Sequence, residues 1–139
     1  MSALAPIQQA IYTRLDNDGP LAAAGFSVYD EPPGEHSDES YVALGEATEA
    51  RGGIDTSESH STRSYEVTET LHIWARGNST LAARQALELV RAALETQPLA
   101  VAGWGVGTCR YEFSTVMREP GWRHIPVRFR IVVGRGAHA

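Results

Sequence analysis

Two long segments of the chain alternate apolar and polar side chains, one from Tyr65 to Arg76 and one from Trp122 to Val133. A period of two places successive side chains on opposite faces of a β-strand. Each segment therefore predicts a strand with one face for a core and one polar face, as in a sheet that is covered on one side. The core-facing sets are Tyr65, Val67, Leu71, Ile73 and Ala75, with Glu69 as the exception, and Ile125, Val127, Phe129, Ile131 and Val133.

Helical periodicity occupies two other segments. The first predicts a helix from about Pro6 to Asp16, and proline is well suited to a first helical turn because its missing N–H costs nothing there. The second predicts a helix from about Leu81 to Thr96, after a turn that supplies an N-cap. Their apolar stripes are Ile7, Ile11 and Leu15 in the first helix, and Ala83, Ala86, Leu87, Val90, Ala93 and Leu94 in the second.

The remaining extended segments are shorter. Phe26–Tyr29 and Tyr41–Leu44 predict two strands, and Leu21–Ala24 predicts one further helical turn. Thr108–Met117 predicts a strand that a turn at Arg118–Gly121 joins to the last strand as an antiparallel hairpin. Its apolar side chains are predicted to share one face: Cys109, Tyr111, Phe113 and Met117.

A polar stretch runs from Gly45 to Ser64, and Ile54 is its one large apolar residue. Long segments of this kind in a compact domain are usually functional or disordered. We expect it to project from the body, either as a mobile arm or as a long hairpin. With glycines at 52 and 53 as a hinge, it could order on the surface of a neighbour; a merely tolerated insertion is the alternative.

The order of these elements predicts an α+β fold: an antiparallel β-sheet with two α-helices packed on one face and the long polar loop projecting. With 139 residues, we expect one domain. The second face of the sheet is then left to solvent or to a partner. The side chains predicted there include His72, Trp74, Arg110, Glu112, Arg128 and Arg130.

The composition argues against several classes of function, including nucleic acid binding and membrane insertion. The net charge of −5 argues against a surface that grips nucleic acid phosphates. No apolar run is long enough for a membrane helix, and the first residues lack a secretory signal, so we expect a soluble chain made in the cytoplasm. All 12 basic residues are arginine, which reflects either a coding bias or a use of guanidinium groups in ion pairs between subunits. The single Cys109 is expected to be a small buried hydrophobe.

No reactive centre is predicted. The five histidines lack the spacing of a zinc site, so we predict no metal and no cofactor. Gly103–Gly107 precedes a strand rather than a helix, which argues for turn glycines and against a phosphate loop. Ser57, Ser59 and Ser61 near His60 lack a readable oxyanion hole, so no catalytic residue is predicted. The chain is expected to work through surfaces.

The polar loop and the second sheet face supply the candidate interface residues. From the loop these are Arg51, Gly52, Gly53, Ile54, Asp55 and Arg63, and from the sheet they are Arg110, Arg128 and Arg130.

Several segments, in this order and spacing, resemble one family. They are Ile7–Leu15, Val28–Gly34, Tyr41–Glu46, Leu71–Arg76 with the helix Ala86–Leu94, Arg110–Phe113 and His124–Arg130. Together they resemble the small phage tail completion proteins, also called tail terminator or tail-to-head joining proteins, which also occur in prophages and gene transfer agents. The match lies in the order of all the segments rather than in a single motif.

The resemblance implies a structural virion protein at the head–tail interface. It implies a homohexameric ring that caps the finished tail tube, contacts the major tail tube protein and presents a docking surface to the head connector. DNA would pass through the ring without specific binding, and the negative charge suits such a channel because carboxylates repel phosphates. Charge reversal of Glu46, Glu49, Asp55 and Glu58 without an effect on DNA delivery would contradict that use of the charge.

Two alternatives remain open at this point. One is another neck or head-closure component, which would share the absence of chemistry and differ in its partners. The other is a small α+β enzyme or ligand-binding domain with a pocket between helices and sheet, which would need convergent polar groups beneath the helices.

Overall fold

The computed structural model describes residues 2–33, 39–51 and 63–135. Within these residues, three helices accompany a seven-stranded sheet. The helices are α1 (Leu4–Asp16), α2 (Gly19–Ala23) and α3 (Thr80–Glu95). The strands are β1 (Ser27–Tyr29), β2 (Tyr41–Arg51), β3 (Arg63–Arg76), β4 (Leu99–Val101), β5 (Gly105–Ser114), β6 (Met117–Glu119) and β7 (Trp122–Arg135).

The sheet is mixed, with the strand order β1-β2-β3-β7-β5-β4 and with β6 paired to β7. The α+β class is thus observed, but the prediction of a wholly antiparallel sheet is wrong, because β1 and β2 are parallel. Ser27 lies opposite Tyr41 and Tyr29 opposite Ala43. Parallel neighbours need a longer return connection than a tight hairpin, and the chain between Tyr29 and Tyr41 provides one.

The core lies between the helices and one face of the sheet. The two alternating segments of the sequence pair with each other along their length, so that Val67 faces Ile131 and Leu71 faces Val127. Their apolar side chains form one cluster with the buried stripes of α1 and α3. Phe129, which is fully buried in the middle strand, is the largest of these side chains. Truncating such a ring to alanine typically costs about 3–5 kcal/mol.

The helices begin close to the predicted positions. Ser79 accepts a hydrogen bond from the amide of Ala82 and caps α3, as expected from the turn before it. Asp18 caps α2 in the same way, and α2 confirms the helical turn predicted at Leu21–Ala24. Helix α1 starts at Leu4, two residues before the predicted start, and the carboxylate of Glu49 accepts a hydrogen bond of 2.7 Å from the amide of Ala3 at that end.

The polar stretch is partly strand. Strand β2 continues from the predicted Tyr41–Leu44 to Arg51, and β3 begins at Arg63 rather than Tyr65. Their pairing continues to Arg51 opposite Tyr65. A register shift between Leu44 and Ala47 hides this extension in the sequence, because a bulge interrupts the alternation. The remainder of the predicted loop, residues 52–62, lies outside the described residues.

The glycine-rich segment and the following strand differ from the prediction. Gly103 and Gly105 have positive φ angles of 83° and 84°, as turn glycines do, but Gly107 is part of β5. A Cβ at Gly107 would lie 2.8 Å from Cγ1 of Val133, so this glycine permits close packing. A second bulge lies between Tyr111 and Phe113. It turns Phe113 to solvent, with 50% of its surface exposed, and the prediction that Phe113 shares a face with Tyr111 is wrong.

Candidate interaction face

The side of the sheet that points away from the helical core, here called the outer face, carries the groups with chemical or binding potential. On β3 it presents alternate residues, and the register places Thr70 opposite Arg128 and Thr68 opposite Arg130. The next strand adds Arg110, which lies opposite Arg130. Polar side chains of β3, β7 and β5 are therefore neighbours on this face. The face has three parts: an aromatic end, a central row and an arginine–glutamate end.

The aromatic end is a small second core. Tyr41 and Trp122 are 2% and 8% exposed, and Ala43, also in β2, is fully buried. The ring of Tyr41 meets Trp122 edge-on at 6.0 Å and Trp74 in a stacked arrangement at 6.4 Å. Aromatic pairs at such distances contribute about 0.5–1.5 kcal/mol beyond the burial of their area. This end of the outer face is therefore rigid.

Four side chains form the central row, here called the histidine belt: Glu46, His72, His124 and Glu119. Nε2 of His72 lies 2.8 Å from Oε1 of Glu46, and Nδ1 of His72 lies 2.8 Å from Nε2 of His124. Nδ1 of His124 lies 3.2 Å from Oε2 of Glu119. The belt thus crosses β2, β3, β7 and β6, and each imidazole uses both nitrogens.

The electrostatics of the belt follow from burial and from its own members. Burial, followed by the nearby His72, lowers the pKa of His124, which is 9% exposed. The hydrogen bond with His72 lowers the pKa of Glu46. The indole of Trp74 stacks on the His124 ring at 3.8 Å with an angle of 7° between the planes. The two histidine rings are thus bound by Glu46 at one end and Glu119 at the other, and the indole of Trp74 covers one face of His124.

The arginine–glutamate end is a network of exposed ion pairs. Glu112 accepts from Nε of Arg128 at 3.2 Å and from Nη2 of Arg130 at 2.8 Å. Glu66 lies 3.9 Å from Arg130. About half of each arginine side chain remains exposed, so each pair contributes no more than about 1 kcal/mol to stability. These guanidinium groups are positioned and remain accessible to a further carboxylate.

Apolar side chains border this network. Phe113, Met117 and Val132 are 50%, 42% and 37% exposed. The guanidinium of Arg128 lies over the ring of Phe113, 5.3 Å from its centroid. Exposed apolar groups rimmed by polar ones are typical of protein contact surfaces. The sequence did not reveal Phe113 and Met117 as surface residues. The bulge in β5 turns Phe113 outward, and Met117 lies in the separate strand β6, opposite His124.

The structure brings three of the predicted interface residues together and separates others. Arg110, Arg128 and Arg130 are neighbours on the outer face. Arg51 ends β2 opposite Tyr65, whose ring packs against the core, so Arg51 belongs to the other side of the sheet. Arg63 begins β3. Gly52, Gly53, Ile54 and Asp55 lie outside the described residues.

The acidic residues proposed for a channel also separate. Glu46 belongs to the belt, whereas Glu49 is bound to the start of α1. Asp55 and Glu58 lie outside the described residues. The two described carboxylates thus already have partners within the subunit.

Sites for chemistry are few in the described residues. They contain no cluster of three or more side chains suited to a metal ion. Cys109 is buried as expected, and burial raises the pKa of its thiol to about 12, which keeps it protonated. Among the helices of the described ranges, none has the length and apolarity needed to cross a membrane.

A groove of about 410 Å³ lies between α1 and β4 and is lined by residues of both. Its one arginine, Arg14, donates hydrogen bonds to the carbonyl oxygens of Ala93, Gln97 and Pro98. That guanidinium therefore satisfies carbonyl groups at the C-terminal end of α3 and in the residues that follow it. Its lining residues are Pro6, Gln9, Ala10, Thr13, Arg14, Asn17, Asp18, Leu99, Ala100 and Ala102.

Comparison with protein families supplies the identity of the fold. The family described as tail completion protein gp17 matches residues 9–134. The chain belongs to this family. The match covers most of the chain, from the first helix through the last strand, and it makes the protein a structural component of a virion tail.

Solved structures share the fold of this tail completion protein. A chain from the "Virion of native gene transfer agent (GTA) particle" aligns with a TM-score of 0.79 and 23% identity, over 96% of this chain and 98% of that chain. A second solved chain aligns with a TM-score of 0.59 and 14% identity, over 96% of both chains. No curated protein matches the sequence.

Proposed function

We propose that this chain, as one tail-terminator-like domain, forms a homohexameric ring that caps the tail tube and joins the tail to the head connector. Its role in this proposal is structural, without catalysis. The observation that carries the proposal is the fold shared with a chain of a gene transfer agent virion over nearly the whole of both chains, together with the family match. A tail completion protein in such a particle would act where the tube ends.

The outer face provides a surface suited to ring formation. A closed ring needs head-to-tail contacts between two different patches of each subunit. The arginine–glutamate end offers guanidinium groups that are about half exposed beside the exposed ring of Phe113. Arginine and aromatic side chains are enriched in protein interfaces. The end of the β2–β3 pair at Arg51 is the second candidate patch, because Arg51 lies on the opposite face of the sheet from this network.

The charge of the subunit fits a ring that DNA crosses without binding. The net charge is −5, and Glu112 and Glu66 accompany the arginines of the outer face. A subunit with this net charge lacks the overall excess of cations that favours phosphate binding. The proposed partners are therefore proteins: other copies of this chain, the tail tube protein and the head connector.

The test combines size-exclusion chromatography and light scattering, with and without purified tail tubes. A ring-sized mass, or a monomer that joins tube ends and stops their growth, is expected. The double variant Arg128→Glu/Arg130→Glu should lose this assembly, whereas Arg84→Glu, on the exposed side of α3, should retain it. A folded wild-type protein that stays monomeric and ignores tubes would refute the capping role. Binding to connectors but not to tubes would instead favour a head-closure component.

A further inference from the structure

The contacts in the histidine belt determine how many hydrogens its two imidazole rings must carry. Its four side chains come from four strands: Glu46 from β2, His72 from β3, His124 from β7 and Glu119 from β6. The three contacts between them measure 2.8, 2.8 and 3.2 Å. All four ring nitrogens of the two histidines take part, so the hydrogen atoms in the belt can be counted.

An ionised carboxylate only accepts hydrogen bonds, and a contact between two ring nitrogens contains one hydrogen. The three contacts together therefore need three hydrogens on four nitrogens. Two neutral imidazoles carry two hydrogens, and two imidazolium ions carry four. The pair fills every contact only when it holds three hydrogens and a single positive charge.

We infer that the His72–His124 pair holds one extra proton at neutral pH, and that this proton is a latch that fastens β2 and β6 across the outer face. The inference is independent of the function proposed above, since it needs only the described side chains. In this arrangement His72 donates from both ring nitrogens, from Nε2 to Glu46 and from Nδ1 to Nε2 of His124. His124 then donates its Nδ1–H to Glu119.

The electrostatics favour this placement. Burial and the neighbouring His72 lower the pKa of His124, which makes it the neutral member of the pair. The bond with His72 lowers the pKa of Glu46, which keeps that carboxylate ionised. The charged groups that act on His124 are His72, Glu119 and Glu46, so the belt supplies its own field. Two carboxylates around one shared positive charge leave a net charge of −1.

Packing fixes the rings where the proton count requires them. Gly45 lies at the bulge of β2, and a Cβ there would come within 2.7 Å of Cδ2 and Nε2 of His72. It would also come within 2.9 Å of the carbonyl oxygen of Thr70. The indole of Trp74 covers the His124 ring on one face. The absence of a side chain at Gly45 is therefore what allows His72 to reach both of its partners.

Loss of the third proton opens one contact. Two hydrogens serve only two of the three contacts. The unserved contact sets a nitrogen lone pair against a carboxylate or, where it is the middle contact, two nitrogen lone pairs against each other. The side chain of Glu46 is 75% exposed and that of Glu119 is 41% exposed, so Glu46 is the more easily returned to water. The bulge of β2 is then released while β6 stays attached. A fourth proton, at low pH, sets two N–H donors against each other, on nitrogens that lie 2.8 Å apart, and breaks the middle contact.

Nitrogen NMR of the ¹⁵N-histidine-labelled protein tests the latch, because ring nitrogens with and without hydrogen have distinct shifts. At neutral pH we expect three hydrogens on the pair. A pair with two hydrogens at neutral pH would overturn the inference. This measurement uses the wild-type protein, and it stands even where a variant fails to fold.

Glu119→Gln gives the second test. The introduced amide can donate a hydrogen bond to Nδ1 of His124, so two hydrogens then satisfy all three contacts. We expect the count to fall from three to two. Glu88→Gln, the same change on an exposed position of α3, should keep three hydrogens. A folded Glu119→Gln protein that keeps three hydrogens would show that the carboxylates do not hold the proton.

Hydrogen exchange tests the order of release. As the pH rises and the third proton leaves, the protection of amides around Gly45 and Glu46, relative to their intrinsic exchange rates at each pH, should fall before the protection of amides in β6. An equal loss of protection in both segments, or none, would contradict a latch that opens at Glu46.

Discussion

Replacing Glu69 by glutamine should make the protein more stable, increasingly so as the pH rises. Glu69 is 3% exposed and lies on the helical side of β3. Its Oε2 atom has no hydrogen-bond partner within the described residues. Burial, and to a smaller extent the charge of Glu46, raises its pKa from 4.5 to about 8. The side chain is therefore a neutral acid in the folded protein at neutral pH.

The sign and size of the effect follow from proton linkage. Between these two pKa values the folded state binds one proton more than the unfolded state, so rising pH favours unfolding. Stability from this group is fully present below about pH 4.5 and is lost as the pH rises through about 8. The slope is about 1.4 kcal/mol per pH unit. Between about pH 5 and about pH 7, the unfolding free energy of the wild type should therefore fall by about 3 kcal/mol through this group.

Glutamine has nearly the same shape and does not ionise, so the Glu69→Gln variant lacks this loss. Urea unfolding followed by tryptophan fluorescence, from about pH 5 to about pH 8, measures the difference in unfolding free energy between the variant and the wild type. We expect that difference to grow by about 1.4 kcal/mol per pH unit in favour of the variant. Glu66→Gln makes the same change on the outer face of the same strand and serves as the control. A difference that stays constant with pH for Glu69→Gln would refute the reasoning.

Three further predictions concern the scaffold. Gly107→Ala should lower the unfolding free energy by about 1–3 kcal/mol, because the new Cβ would lie 2.8 Å from the side chain of Val133. Gly19→Ala, where a Cβ would meet nothing within 4 Å, is the control; urea denaturation measures both variants, and equal effects would contradict the packing argument. Arg14→Ala should lower the unfolding free energy by about 1–3 kcal/mol, because the carbonyl oxygens of Ala93, Gln97 and Pro98 lose the guanidinium as their donor. Thermal unfolding measures the change, with Arg84→Ala as the exposed control, and an unchanged stability would show that water replaces the guanidinium freely. Cys109 should react with a thiol reagent at neutral pH only after unfolding, because its thiol is buried and its pKa is raised to about 12; rapid labelling of the folded protein would contradict that burial.

The parts of the fold that the sequence predicts well are those with an unbroken period. The alternation in β3 and β7 identifies the core side of both strands, and the stripes of α1 and α3 identify the two long helices. The parts that it predicts poorly involve bulges and long-range pairing. The bulges near Gly45 and Phe113 each shift the alternation, so that the part of β2 after Leu44 looks like a loop and Phe113 looks buried. The parallel direction of β1 depends on the path of the connecting chain, which leaves no local pattern.

The candidate site shows the same division. Alternation places His72, Trp74 and His124 on the side away from the core, as observed. Their contact depends on register, because His72 lies opposite Pro126 and His124 lies opposite Trp74. The two histidines therefore meet along a diagonal. A change of one residue in register would send one of them to the other face, and only the paired strands determine which register is formed.

The central position of β7 makes the order of synthesis matter for folding. Strand β7 follows all the other strands of the described residues, yet it lies between β3 and β5 in the sheet. Val67 meets Ile131 only after α3 and the intervening strands have been made. Pairings between such distant segments slow folding, because a large loop must close before they form. Until β7 has left the ribosome, the apolar face of β3 lacks this partner, and we expect the nascent chain to be prone to aggregation.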